Sequence, residues 1–212
     1  MCASGSAARL ILASRSPRRA GLLREAGVNF VQHVPAFADP AEPVVEAGRS
    51  AASVVADLAE AKGRSVLDEV GAGRWVLASD TVCVDEGGGL VGTPESPERA
   101  LAMLRGFVNS DHAVVTGVAL FDEAGALRSS WADRAVVRWG AIEEGVLAAY
   151  VAGGGWAGKA GGYNLFERQA AGWPIEVDGD PTTVVGLPME RLVVELRGYG
   201  LVGDAGGGGG GG

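Results

Sequence analysis

The densest chemistry in the sequence lies in Ser14-Arg15-Ser16-Pro17-Arg18-Arg19. Ser16 is placed as an N-cap and Pro17 as the first helical residue, so Arg18 and Arg19 fall in a first helical turn. Cations are disfavoured beside the positive end of a helix macrodipole. Two of them, joined by two hydroxyls and free backbone N–H groups, make sense when an anion such as a phosphate fills the gap. The alternative is a solvated arginine pair on an amphipathic helix.

Asp80, flanked by Ser79 and Thr81, follows the apolar run 75–78. A carboxylate at the end of a buried strand must be paired, hydrogen-bonded or bound to a cation to offset its desolvation. Hard divalent cations take such oxygens while keeping waters and sharing a substrate's phosphates. The alternative is a turn cap that accepts backbone N–H bonds. Asp39, in a loop bordered by Pro40, offers a second carboxylate. Lys62 follows Leu58 by one helical turn, either near the apolar face or as a solvated charge. Lys159-Ala160-Gly161-Gly162 joins an ammonium to small residues that let a backbone approach an anion closely. Together these groups form a kit for metal-assisted hydrolysis of a polyphosphate, in which cations hold the leaving group.

Elements must bring these residues together. Residues 10–13 read as a buried strand feeding a helix that Gly27 ends, and 29–34 as a second strand stopped by Pro35. Residues 38–43 form a loop. Val54, Val55, Leu58 and Ala61 mark a helix over about 49–70. A strand over 75–78 ends at Ser79-Asp80-Thr81, with more strand at 82–84. Glycines 87–89 and Gly92-Thr93-Pro94 mark loops, and Ser96-Pro97 opens a helix over 98–105. Residues 113–121 and 128–137 form a hairpin around Gly125. A helix over 142–151, a glycine-dense stretch at 153–162, a strand over 173–177, a turn at 178–180 and a helix over 188–196 complete the chain. Hairpins mixed with crossovers predict an α/β fold on a mixed sheet, without internal repeats or a separating linker. Residues 1–8 read as a flexible N-terminus, 9–200 as one folded unit, and 201–212, ending in seven glycines, as a disordered tail.

Composition excludes several classes. The 212 residues are 47% hydrophobic and 21% charged, as in globular proteins, and ample for a core. A net charge of −8 argues against a nucleic-acid partner. There is no apolar run of about 18 residues for a membrane helix and no secretion signal. Cys2 and Cys83 form no CxxC pair, which suits a reducing cytoplasm. His33 and His112 are too few for a zinc site, and neither a P-loop nor a GxSxG elbow is present.

Four blocks in order resemble the Maf family of nucleotide pyrophosphatases: LILASRSPRR at 10–19, VLASDTVCVD at 76–85 with Gly92-Thr93-Pro94 after it, HAVVTGVAL at 112–120, and KAGGY at 159–163 with GDPTTVVGLP at 179–188. The resemblance runs from residue 10 to about 196. It implies a mixed twisted sheet with flanking helices, two lobes around a central cleft, and a possible homodimer. It also implies hydrolysis of a nucleoside triphosphate to monophosphate and pyrophosphate with Mg²⁺ or Mn²⁺. By family role Asp80 is the general base or a metal-linked carboxylate. Ser14, Arg18, Arg19 and Lys62 hold phosphates, and Asp39 assists metal or water. Arg18 and Thr81 match the branch that acts on dTTP and UTP. Thr93, Gly158 and Phe166 stand where relatives carry a lysine, an aspartate and a glutamine.

Overall fold

The computed structural model describes residues 8–37 and 49–202. The loop at 38–43, with Asp39, lies outside them, as do the stretch before residue 8 and the glycine tail from residue 203.

Among the described residues seven strands form one mixed sheet. β1 (Leu10–Ala13) pairs in parallel with β2 (Phe30–His33) and with β3 (Trp75–Val84). β3 pairs antiparallel with the two-residue β4 (Leu90–Val91) and with β5 (Asp111–Phe121), followed by β6 (Leu127–Trp139) and β7 (Ile175–Asp178). The order is β2-β1-β3-β5-β6-β7. Among the described residues seven α-helices flank it: α1 (Pro17–Glu25), α2 (Ala51–Val70), α3 (Pro97–Phe107), α4 (Glu144–Ala152), α5 (Leu165–Ala170), α6 (Pro181–Val185) and α7 (Met189–Gly198).

The period-two alternation of β3 sorts its side chains between two cores. Trp75 and Leu77 join Leu10, Leu12, Leu23, Leu192 and Leu196 under α1 and α7. Val76 and Ala78 face the other way, with Ile11, Ala59, Val66 and Phe121 under α2. A further cluster, Leu104, Phe107, Trp139, Leu147, Tyr163 and Trp173, gathers α3, α4 and α5 over the other end of the sheet. There are thus two lobes on one continuous sheet, which is why no linker separates them in sequence. The first core also takes in Leu201 and Val202, two residues beyond the boundary read from the glycine tail.

Two helices were absent from the sequence reading. Asp180, read there as part of a turn, is the N-cap of α6, and Asn164 is the N-cap of α5. Both carry a legible signal: Asp180 precedes Pro181 as Ser16 precedes Pro17, and Asn164 precedes Glu167 by three residues. Six and five residues are too few for helical periodicity to show.

In the second lobe His112 is 3% exposed, stacks on Phe107 at 3.9 Å, and meets the Tyr163 hydroxyl at 2.8 Å. Burial lowers its pKa to about 4 and raises Tyr163 well above the usual phenol range. An unfolded histidine titrates near ~6.5, so between about pH 4 and 6.5 the unfolded chain binds the extra proton and stability falls as pH falls. The stake is about 3 kcal/mol. Urea titrations at pH 7.5 and 5 should show a smaller loss for His112→Gln than for wild type; equal losses would remove His112 from this role.

Candidate active site

β1 stops at Ala13 because the Ser14 N–H turns back to the Leu12 carbonyl at 3.0 Å and Ser16 then caps α1. Its pairing with β3 therefore ends at Ala78, while β4 takes up the same edge only at Cys83. Between them residues 79–82 of β3 have no strand neighbour on that side among the described residues. The notch lies at the carboxyl end of the parallel strand β1, which has β2 on one side and β3 on the other, and such switch points of strand order form ligand crevices.

Asp80 lies in this notch, and here the structure corrects the sequence reading. β3 does not end at Ser79-Asp80-Thr81. It runs unbroken through residue 84, because β5 pairs with it from Val76↔Phe121 to Val84↔Ala113. Asp80 is a mid-strand carboxylate, not a turn cap. It is 8% exposed and its Oδ1 accepts from Lys62 Nζ at 2.5 Å. Lys62 is itself 9% exposed, so it is not a solvated charge.

This pairing depends on how closely α2 lies on the sheet. Asp80 faces Gly117 in the β3–β5 register. A Cβ on Gly117 would sit 2.2 Å from the Val55 carbonyl oxygen and 2.6 Å from the Ala56 nitrogen. Only a glycine there lets the α2 backbone approach far enough for Lys62, two turns on, to reach the carboxylate.

The cations lie on the α1 side. Arg19 donates through Nε to the Gly186 carbonyl at 3.0 Å, through Nη1 to Ser14 Oγ at 3.3 Å and through Nη2 to Thr81 Oγ1 at 3.0 Å. It thereby ties the β1–α1 turn to β3 and to the residue that ends α6. Gly186 holds φ +117, and a Cβ there would meet Arg19 Nε at 2.9 Å. Arg18 reaches across the cleft to the Gly158 carbonyl at 3.4 Å. Burial lowers its pKa, opposed by Glu167 and then Tyr150. Ser14, Arg15, Arg18, Arg19, Lys62, Asp80 and Thr81 all line one cavity, whose far wall includes Thr93, Gly158, Tyr163 and Asn164. Among the described residues, four cations against one carboxylate, in a chain of net charge −8, make a local anion site.

Lys159 does not line that cavity. Its ammonium folds back to the Gly155 carbonyl and lies 3.7 Å from Glu167. Phe166, 44% exposed, is likewise outside the cavity wall. Sequence reasoning passed over Arg15, although its place between two serines was a usable signal. It also missed Thr116, whose hydroxyl lies against that of Thr81, and Thr183, whose carbonyl accepts from Thr116; both are far away in sequence and carry no local signal. Among the described residues no three His, Cys, Asp or Glu side chains cluster as a metal set. A cation that keeps waters and shares substrate phosphates requires only one or two protein carboxylates, and Asp80 is the carboxylate that lines the cleft among the described residues.

The family model described as Maf-like protein matches residues 9–199. A dTTP/UTP pyrophosphatase of Salinibacter ruber is 38% identical over 189 residues, covering 89% of this chain and 89% of that protein. One of Pelotomaculum thermopropionicum is 36% identical, covering 90% and 96%. Among solved structures, a nucleoside-triphosphatase / dITP/XTP pyrophosphatase of Mycobacterium abscessus overlaps 61% of this chain and 72% of its own at 19% identity and a TM-score of 0.38. With a family match from residue 9 to residue 199 and relatives above one-third identity across nearly its whole length, this chain belongs to the Maf-like protein family.

Proposed function

We propose that this protein hydrolyses a nucleoside triphosphate between its α and β phosphates, giving a monophosphate and pyrophosphate, with dTTP and UTP as the first substrates to test. The observation that carries the reading is the buried Asp80–Lys62 pair at the floor of an arginine-lined cleft. The names of the relatives point the same way.

Arg18, Arg15 and Arg19 on the α1 side take the phosphate oxygens, supported by Ser14. Lys62, at the junction of carboxylate and cleft, balances charge on the phosphoryl group under attack. Asp80 takes the proton of the attacking water through an oxygen held in place by the Lys62 ammonium. A divalent cation, Mg²⁺ or Mn²⁺, would be held by Asp80 and, by family role, by Asp39, which lies outside the described residues; it would neutralise phosphate charge. The cation-rich cleft on an otherwise acidic chain favours a small anion over nucleic acid. No helix of the described residues is long and apolar enough to cross a membrane. The reading places the enzyme in the cytoplasm with its nucleotide pool, as a monomer or a homodimer.

A panel of nucleoside triphosphates with pyrophosphate detection tests this. Pyrophosphate should appear with Mg²⁺ or Mn²⁺ and disappear on chelation. Binding of a non-hydrolysable triphosphate without turnover of any substrate would instead make the protein a nucleotide-binding regulator. Thr93 and Gly158, uncharged on the far wall, are the positions that favour that outcome.

A further inference from the structure

A row of hydroxyls runs from the cleft through the sheet. Thr81, Thr116 and Asp133 occupy facing positions on β3, β5 and β6. Thr81 Oγ1 lies 2.9 Å from Thr116 Oγ1. α6 crosses above them. The Thr183 carbonyl accepts from Thr116 Oγ1 at 2.8 Å, and Thr183 Oγ1 donates to Asp133 Oδ2 at 2.5 Å. Thr116 and Thr183 are both 0% exposed.

The proton directions follow from valence. A threonine hydroxyl has one proton, and that of Thr116 goes to the Thr183 carbonyl, which can only accept. Thr81 must therefore donate to Thr116. Its remaining lone pairs face Arg19 Nη2, 3.0 Å away, and the cleft. Arg19's Nε partner, the Gly186 carbonyl, directly follows α6, the helix that Thr116 and Asp133 hold down.

We propose that Thr116 is a positioning residue for the substrate site. It touches no substrate. It holds Thr81 as a hydrogen-bond acceptor and so keeps the Arg19 guanidinium turned towards the cleft. Thr81 then meets the nucleotide with a lone pair and suits an N–H or O–H donor, not a phosphoryl oxygen. This rests on the reading that the cleft binds a triphosphate.

The test is steady-state kinetics with the best triphosphate of the panel. Thr116→Val keeps the shape but removes the acceptor, so the Thr81 proton turns towards Arg19 or the cleft. KM should rise about tenfold, the effect of one lost hydrogen bond of ordinary strength, with kcat within about threefold. Thr116→Ser should restore KM to within about twofold. Thr81→Val should match Thr116→Val, and the double variant should be no worse than either, since the two act as one unit. Thr116→Ala serves the same comparison if Val is not tolerated. An unchanged KM, a serine variant without rescue, or single effects that multiply to about a hundredfold each overturn the proposal while an active wild type leaves the pyrophosphatase reading standing. A wild type that turns over no triphosphate overturns both.

Discussion

Asp80→Asn is expected to reduce pyrophosphate release by about a thousandfold, within the range for loss of a positioned general base. The substitution keeps the shape of the side chain and leaves Lys62 an oxygen to donate to, so the cleft stays built. It removes the basic oxygen and one negative charge from a cavity whose other charged groups, among the described residues, are cations. Binding of a non-hydrolysable triphosphate, measured without a divalent cation, should therefore hold or tighten while cation-dependent turnover disappears. A carboxylate needed only for architecture would lose both. The amide also leaves the Lys62 ammonium, whose side chain is 11% exposed, beside a neutral partner. Breaking a buried pair in this way costs about 3 kcal/mol, visible as a lower urea midpoint. Turnover within about fivefold of wild type would remove Asp80 from the base role.

The largest stability effect is expected at a residue with no side chain. Gly117→Ala places a methyl 2.2 Å from the Val55 carbonyl oxygen and 2.3 Å from its carbon. These are backbone atoms of a helix, so no rotamer change relieves the clash and α2 must lift as a body. Overpacking of this kind costs about 3 kcal/mol, or more where backbone must move. Activity should fall with it, at least about tenfold, because lifting α2 withdraws Lys62 from Asp80. Urea unfolding and pyrophosphate release measured on the same preparation check both halves. A variant with wild-type stability would show that the α2–β5 contact yields easily, and one destabilised but fully active would uncouple the contact from the site.

Local signals made much of this protein legible. Serine followed by proline marks the start of α1 and of α3 because an N-cap hydroxyl and a residue without an N–H act within one turn. The hairpin around Gly125 and the long helix through Lys62 are read in the same way. The Arg18–Arg19 pair stood out because cations at a helix N-terminus run against its dipole. Position 80 was singled out because an apolar run led into a carboxylate.

What failed depended on partners distant in sequence. A strand broken at Ser79-Asp80-Thr81 and resumed at 82–84 was a reasonable inference from polar residues, yet β5 supplies a continuous row of backbone partners through residue 84. Whether polar residues end a strand is decided by its neighbour. Lys159 had an anion-cradle composition, but the direction of its ammonium was settled by the Gly155 carbonyl and Glu167. Arg19, expected as a phosphate ligand, is also a structural hub holding three backbone and side-chain oxygens.

The sequence by itself determined most of the elements and their order, and that a basic turn, a carboxylate and a lysine were available, since each follows from residues within a few positions of one another. The tertiary structure alone decided that Asp80 and Lys62 form a buried pair, that the notch opens between β1 and β4, and that Thr116 stands behind Thr81. Those facts depend on strand register and on a helix-to-sheet distance set by Gly117, and neither is encoded within any one stretch of chain.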